Sequence, residues 1–131
     1  MREILFRGLH RRKGEKVRMD GTPVESMWVY GGYCQYNEER GIIYQAEPNI
    51  CKYSVYADSV GQYTGLNDKN GVRIFEGDIL ESDGGNKGYI VFVNGAFMKS
   101  CVSEKFPFSI RADMNKVIGN IYDNPELIGG E

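Results

Sequence analysis

YIVFVNGAFMKSC, residues 89–101, decides the fold. Apolar residues run up to Asn94-Gly95 and start again after it. An Asn-Gly pair is the favoured two-residue turn between antiparallel strands, because both positions must take positive φ. The stretch therefore predicts a β-hairpin, and its surroundings repeat the pattern. Upstream, VRIFEGDILES (72–82) breaks at the turn-rich DGGNKG (83–88); downstream, KVIGNIY (116–122) reads as a last strand. DNPEL (123–127) then offers Asn124 as an N-cap, with Pro125 at the first position of one helical turn.

The N-terminal half carries the same signals. ILFRGLH (4–10) alternates in part, and RRKGEK supplies a Gly-containing turn before VRM returns. Asp20-Gly21 and Pro23 break the chain again. In MWVYGGYCQY (27–36), alternation puts Trp28, Tyr30, Cys34 and Tyr36 on one face and Val29, Tyr33 and Gln35 on the other. NEERG turns the chain, GIIYQAE brings it back, and KYSVY alternates like a strand. Residues 37–58 leave their register open. Short strands cut by turn signals roughly every 8 to 12 residues specify an all-β protein. No stretch supports a long amphipathic helix, and seventeen glycines suit tight turning. The expectation is a mainly β, compact, barrel-like domain with antiparallel hairpins and only short helical turns. If it has two lobes, they span 1–58 and 62–127.

QYTGLNDKNGVRIFEGDIL (62–80) looks at first like a ligand loop. A phosphate loop needs Gly-x4-Gly-Lys and then Ser or Thr, opening a helix; here Val72 follows Gly71 and a strand comes next. A calcium loop with Gly71 as its central glycine would have Leu66 as first ligand and Gly77 as last, neither of which can bind. Asp68-Lys69-Asn70-Gly71 is instead turn chemistry, and Glu76-Gly77-Asp78 is a bend opening a strand. Asp68, Glu76, Asp78 and Asp83 are close in sequence, but no histidine joins them, so no metal is expected.

The chain has 131 residues, 26% charged and 41% apolar, which fits one soluble globular domain. No apolar run reaches the roughly 20 residues needed to cross a bilayer, and MREILFRGLHRRKGEK is interrupted by charge too early for a secretion signal. A cytoplasmic protein without a membrane partner is expected. Cys34, Cys51 and Cys101 have neither zinc-site spacing nor a disulfide framework, and His10 is the single histidine. No cofactor is called for. Net charge is −2, yet residues 1–18 hold seven basic residues (Arg2, Arg7, Arg11, Arg12, Lys13, Lys16 and Arg18) against Glu3 and Glu15.

QYTGLNDKNGVRIFEGDIL followed by VIGNIYDNPEL resembles the YopX family of phage and prophage proteins, and EILFRG and WVYGGY are similar to that family's opening. The likeness runs from Arg2 to Leu127. It implies a small, mainly β protein encoded by a phage or prophage and made in the bacterial cytoplasm, with no established activity and no catalytic residue to carry over. Under it, Gly65, Gly71, Gly77, Asp78, Gly119 and Asn120 are turn and bend positions. The order of turns and strands in the C-terminal half also resembles an SH3-like layout, a likeness of fold that gives no function.

Three functions compete. A non-enzymatic module that binds a host or phage protein would use the aromatic segment, with Trp28, Tyr30 and Tyr33 as anchors. A nucleic-acid-binding module would use the basic N-terminal hairpin, led by Arg11 and Arg12, with Phe6 as a stacking surface. The sequence pI of 5.5 speaks against that reading. An enzyme would need a base or nucleophile. His10 lies beside Arg11 and Arg12, and Glu76 and Asp78 at i, i+2 suit an exposed strand. The first reading is preferred, with no catalytic residues. A homo-oligomer that buries sheet edges is also expected.

Overall fold

The computed structural model describes residues 4–46, 50–101 and 104–129. Arg2 of the basic run and residues 47–49 of the open-register region lie outside them. The protein is mainly β, 54% strand and 8% helical, with two antiparallel sheets and, among the described residues, no closed barrel. It forms two compact units, Ile4–Gln62 and the chain from Tyr63 onward.

The first unit is a meander of β1 (Phe6–Arg11), β2 (Met27–Gln35), β3 (Arg40–Gln45) and β4 (Cys51–Tyr56). KYSVY therefore pairs in full, Ile43 opposite Tyr53 and Gly41 opposite Val55. Alternation sorts the faces as the sequence predicts. Val29, Ile43 and Val55 turn inward as a core, with Phe6, Tyr33 and Tyr53 packed against it. β1 lies close to β4 across this core: a Cβ on Gly8 would stand 3.1 Å from Val55 Cβ. Side chains complete the approach. Leu9 N–H donates to Ser59 Oγ at 2.8 Å, and His10 Nδ1 meets the Ser54 carbonyl at 2.7 Å. A short 3-10 helix, Ala57–Ser59, leads to β5 (Gly61–Asn67), whose first two residues pair with β1. Between β1 and β2 the chain makes an exposed ribbon closed by one bridge, Val17 to Pro23, in place of a full returning strand.

In the second unit the rest of β5 pairs with β6 (Arg73–Phe75). A five-stranded sheet follows, in the order β10-β9-β8-β7-β11. Its strands are β7 (Asp78–Ser82), β8 (Lys87–Val93), β9 (Ala96–Cys101), β10 (Phe108–Ser109) and β11 (Asn115–Asn120). Ile74, Leu80 and Ile90 form its core, with Phe97, Ile110 and Val117 around them. Asn94 and Gly95 take φ of 50° and 81° between the paired Val93 and Ala96, as the hairpin reading requires. Gly77 bends at φ 92°, its N–H donating to the Ile90 carbonyl, and Asp78 Oδ2 accepts the Phe75 N–H at 2.8 Å. The helical turn after DNP is a 3-10 helix, Pro125–Ile128, but Asn124 makes no side-chain cap. Its Oδ1 accepts the Asn120 N–H at 3.2 Å instead, because the bend after β11 brings that donor nearer.

Candidate functional site

Residues opposite one another in an antiparallel ladder share a face. Trp28 lies opposite Leu9, Tyr30 opposite Arg7 and Gly32 opposite Tyr44, on the side of the ladder away from Val29 and Ile43; this side is buried at its β1 end, where Leu9 and Arg7 are both covered. On it Tyr30 is 44% and Tyr44 49% exposed. Gly32, opposite Tyr44 and two residues from Tyr30, leaves open space there, since a Cβ would meet nothing within 4 Å. Arg40 and Lys52 share this face, opposite Tyr56 and Tyr44, and β1 to β4 contain no Asp or Glu.

The three aromatic anchors named from sequence part company. Tyr30 is open. The Trp28 ring has the Arg7 guanidinium 4.6 Å from its centre, and Arg7 is itself buried. Tyr33 is on the core side, 5.9 Å from the Phe6 ring and packed over Gly41. Burial, with some help from the Cys34 thiol, raises its phenol above the usual value. Tyr44 was missed by the sequence reading. Alternation in GIIYQ carried the signal, but its face depends on pairing with β2.

The ribbon places the basic residues. Arg11 Nε donates to the Glu25 carbonyl at 3.2 Å. Arg18 Nη1 donates to Thr22 Oγ1 and the Pro23 carbonyl at 3.3 and 3.2 Å. Arg12 donates to both Asp58 oxygens, at 2.7 and 3.0 Å, and its guanidinium lies 4.1 Å from the centre of the Tyr56 ring. Arg40 approaches the same ring at 4.4 Å. The Tyr56 hydroxyl donates to Glu15, which holds that carboxyl below its ordinary value and raises the phenol. Lys13 and Lys16 are exposed.

Three of the four carboxylates weighed for a metal have other partners. Asp68 accepts backbone N–H groups, Asp78 accepts from Phe75, and Asp83 pairs with Lys69 Nζ at 2.6 Å. Among the described residues no three His, Cys, Asp or Glu side chains are placed to hold a metal ion. Cys34 is exposed, Cys51 half-buried and Cys101 buried.

A family model described as YopX protein matches residues 13–129. Among solved structures the chain is similar to protein EF1440 from Enterococcus faecalis. That match is 24% identical with a TM-score of 0.52, and it covers 98% of this chain and 99% of that one. At that identity the likeness is one of fold alone. No curated protein matches the chain.

Proposed function

The chain belongs to the YopX family, and from that premise we propose that it is a phage- or prophage-encoded accessory protein acting in the bacterial cytoplasm by binding a host or phage protein, without catalysis. The observation that carries this reading is the pair of exposed tyrosines Tyr30 and Tyr44 on one side of the sheet, with no side chain at Gly32 beside them. Tyrosine gives a large contact area at small conformational cost and is enriched at interface hot spots. The edge strand β4 supports docking on a face rather than an edge: His10 takes its Ser54 carbonyl, and Ser59 takes the Leu9 N–H of β1 beyond the stretch paired with β5.

The nucleic-acid alternative relied on the basic ribbon. There Arg12 is paired with Asp58, Arg11 and Arg18 bond within the loop, and Glu15 and Asp20 are interleaved. That distribution favours the protein reading.

The test is affinity purification of the tagged protein from its host during infection or prophage induction, with and without nuclease. A partner that survives nuclease, is lost from Tyr30→Ala/Tyr44→Ala and is retained by Tyr36→Ala is the expected result. A partner indifferent to Tyr30 and Tyr44, or one lost with nuclease, overturns it.

A further inference from the structure

Asn70-Gly71 and Asn94-Gly95 are the two Asn-Gly pairs of the chain, and both lie in exposed turns with the glycine at φ of 83° and 81°. Asparagine before glycine is the pair most open to deamidation, because no side chain shields the glycine nitrogen from the asparagine carboxamide. Hydrogen bonding separates the two. The Gly71 N–H donates to the Asp68 carbonyl at 2.9 Å, and Asp68 Oδ1 accepts from Asn70 and Val72 on either side of it. The Gly95 N–H and the Asn94 carboxamide have no partner among the described residues. We propose that Asn94 is a self-modification site: it deamidates to isoaspartate while Asn70 is protected, and the change loosens the β8–β9 hairpin.

The chemistry needs only water. The Gly95 nitrogen gives its proton to solvent hydroxide and bonds to Asn94 Cγ, and the carboxamide nitrogen leaves as ammonia. Water then opens the cyclic imide. Cleaving the bond from nitrogen to Cγ gives aspartate; cleaving the bond from nitrogen to the main-chain carbonyl gives isoaspartate, whose backbone runs through Cβ and Cγ. Ring closure requires the glycine nitrogen to swing onto the side chain. A hairpin tip without such ties opens for this at little cost. At Asn70 the same movement breaks the Gly71 bond and pulls on the buried Asp68 carboxylate. The product matters because a two-residue turn fixes the register of its strands. Val93 pairs with Ala96 and Phe92 with Phe97, and an added backbone carbon forces the first pair apart. Behind it the Phe92 and Phe97 rings stand 4.9 Å apart, and Phe97 packs against the Ile74, Leu80 and Ile90 core.

The test ages the full chain at mildly alkaline pH, both native and in guanidinium chloride, and follows aspartate and isoaspartate at positions 94 and 70 by peptide mapping. The rates in guanidinium are the intrinsic ones, so the ratio of unfolded to native rate is the protection that folding gives each site. Protection is expected to be severalfold greater at Asn70 than at Asn94. The urea midpoint of the native-aged chain should fall in step with isoaspartate at 94. Asn94→Gly keeps a favoured turn pair without the carboxamide, and its midpoint should not fall on ageing. Should that variant fold poorly, Asn94→Asp takes its place, since Asp-Gly is also a favoured turn pair and forms the imide more slowly. Asn94 protected as strongly as Asn70, or isoaspartate at 94 with an unchanged midpoint, overturns the proposal.

Discussion

Asp68 and Val117 are joined by a hydrogen bond across 49 residues of chain, the Val117 N–H donating to Asp68 Oδ2 at 2.8 Å. The other carboxylate oxygen accepts the N–H groups of Asn70 and Val72 at 2.8 and 2.9 Å. One side chain, 6% exposed, thus closes the 68–72 turn and fastens it along the outer edge of β11, where the Lys69 N–H also reaches the Asn115 carbonyl at 3.1 Å. Asp68→Ala would strip three donors of their acceptor. Orphaned buried donors cost about 1–3 kcal/mol each, and water entering the gap recovers part. A loss of about 3 kcal/mol in urea unfolding is expected; a loss under about 1 kcal/mol would show that the turn holds without its carboxylate.

The same residue sets an acid limit. Burial pushes the Asp68 carboxyl up, but the N–H groups of Val117, Val72 and Asn70 together outweigh it and hold the carboxyl below the ordinary range. With the folded value beneath the unfolded one of about 3.9, the stabilisation is complete above that value and drains away as pH falls through the folded value. Urea midpoints measured between pH 2 and 6 should fall in that acid window for the wild type and fall less for Asp68→Asn. Parallel curves would place the acid sensitivity elsewhere.

How much of this was legible follows distance along the chain. Asn94-Gly95 and Gly77-Asp78 were read correctly because their chemistry is local: two φ angles and a bend. The Asp68 turn was legible for its bonds to Asn70 and Val72, but not for the bond to Val117, which needs β11 in place. Alternation put Tyr30 and Tyr33 on opposite faces, yet which face is core depends on β3 and β4. So Tyr33 was offered as an anchor and Tyr44 was missed. Arg12 was singled out for its charge, while Asp58, the partner that defines its role, lies 46 residues on.

Two glycines without positive φ should differ in their intolerance. A Cβ on Gly88 would stand 2.6 Å from the Ser100 carbonyl oxygen and 3.0 Å from Cys101 Cα, both backbone of the neighbouring β9. A Cβ on Gly41 would meet Tyr33 Cε1 at 2.4 Å, but a ring can tilt. Overpacking of this kind costs about 1–3 kcal/mol. Gly88→Ala is expected at or above the top of that range and Gly41→Ala near the bottom. Tyr33→Leu should remove most of the Gly41→Ala cost in a double-mutant cycle. Equal losses for the two alanines, measured by urea unfolding, would contradict this.

Lys99 tests how a buried amine is tolerated in a core. It is 2% exposed on β9, and its Nζ donates to Asn115 Oδ1 at 2.7 Å and to the Asn86 carbonyl at 3.2 Å. β9 and β11 are not neighbours in the sheet, so the first bond spans β8 and β7. Lys99→Met keeps the length of the side chain but leaves Asn115 Oδ1 buried without its donor, a cost of about 2 kcal/mol. Taking both partners away, in Lys99→Met/Asn115→Leu, should cost less than the sum of the single changes, because no orphan remains between them. The amine also gives a second signature. Burial lowers its value, with Cys101 and Glu81 partly restoring it. The unfolded chain, titrating near 10.4, therefore binds more protons in the window between the two values, and stability climbs with pH across it. Urea midpoints followed from pH 8 to 10.5 should show that climb superimposed on other titrations in the wild type and not in Lys99→Met. An identical slope in both would clear Lys99 of the effect, and an additive cycle would mean that the Asn115 bond is not what holds it.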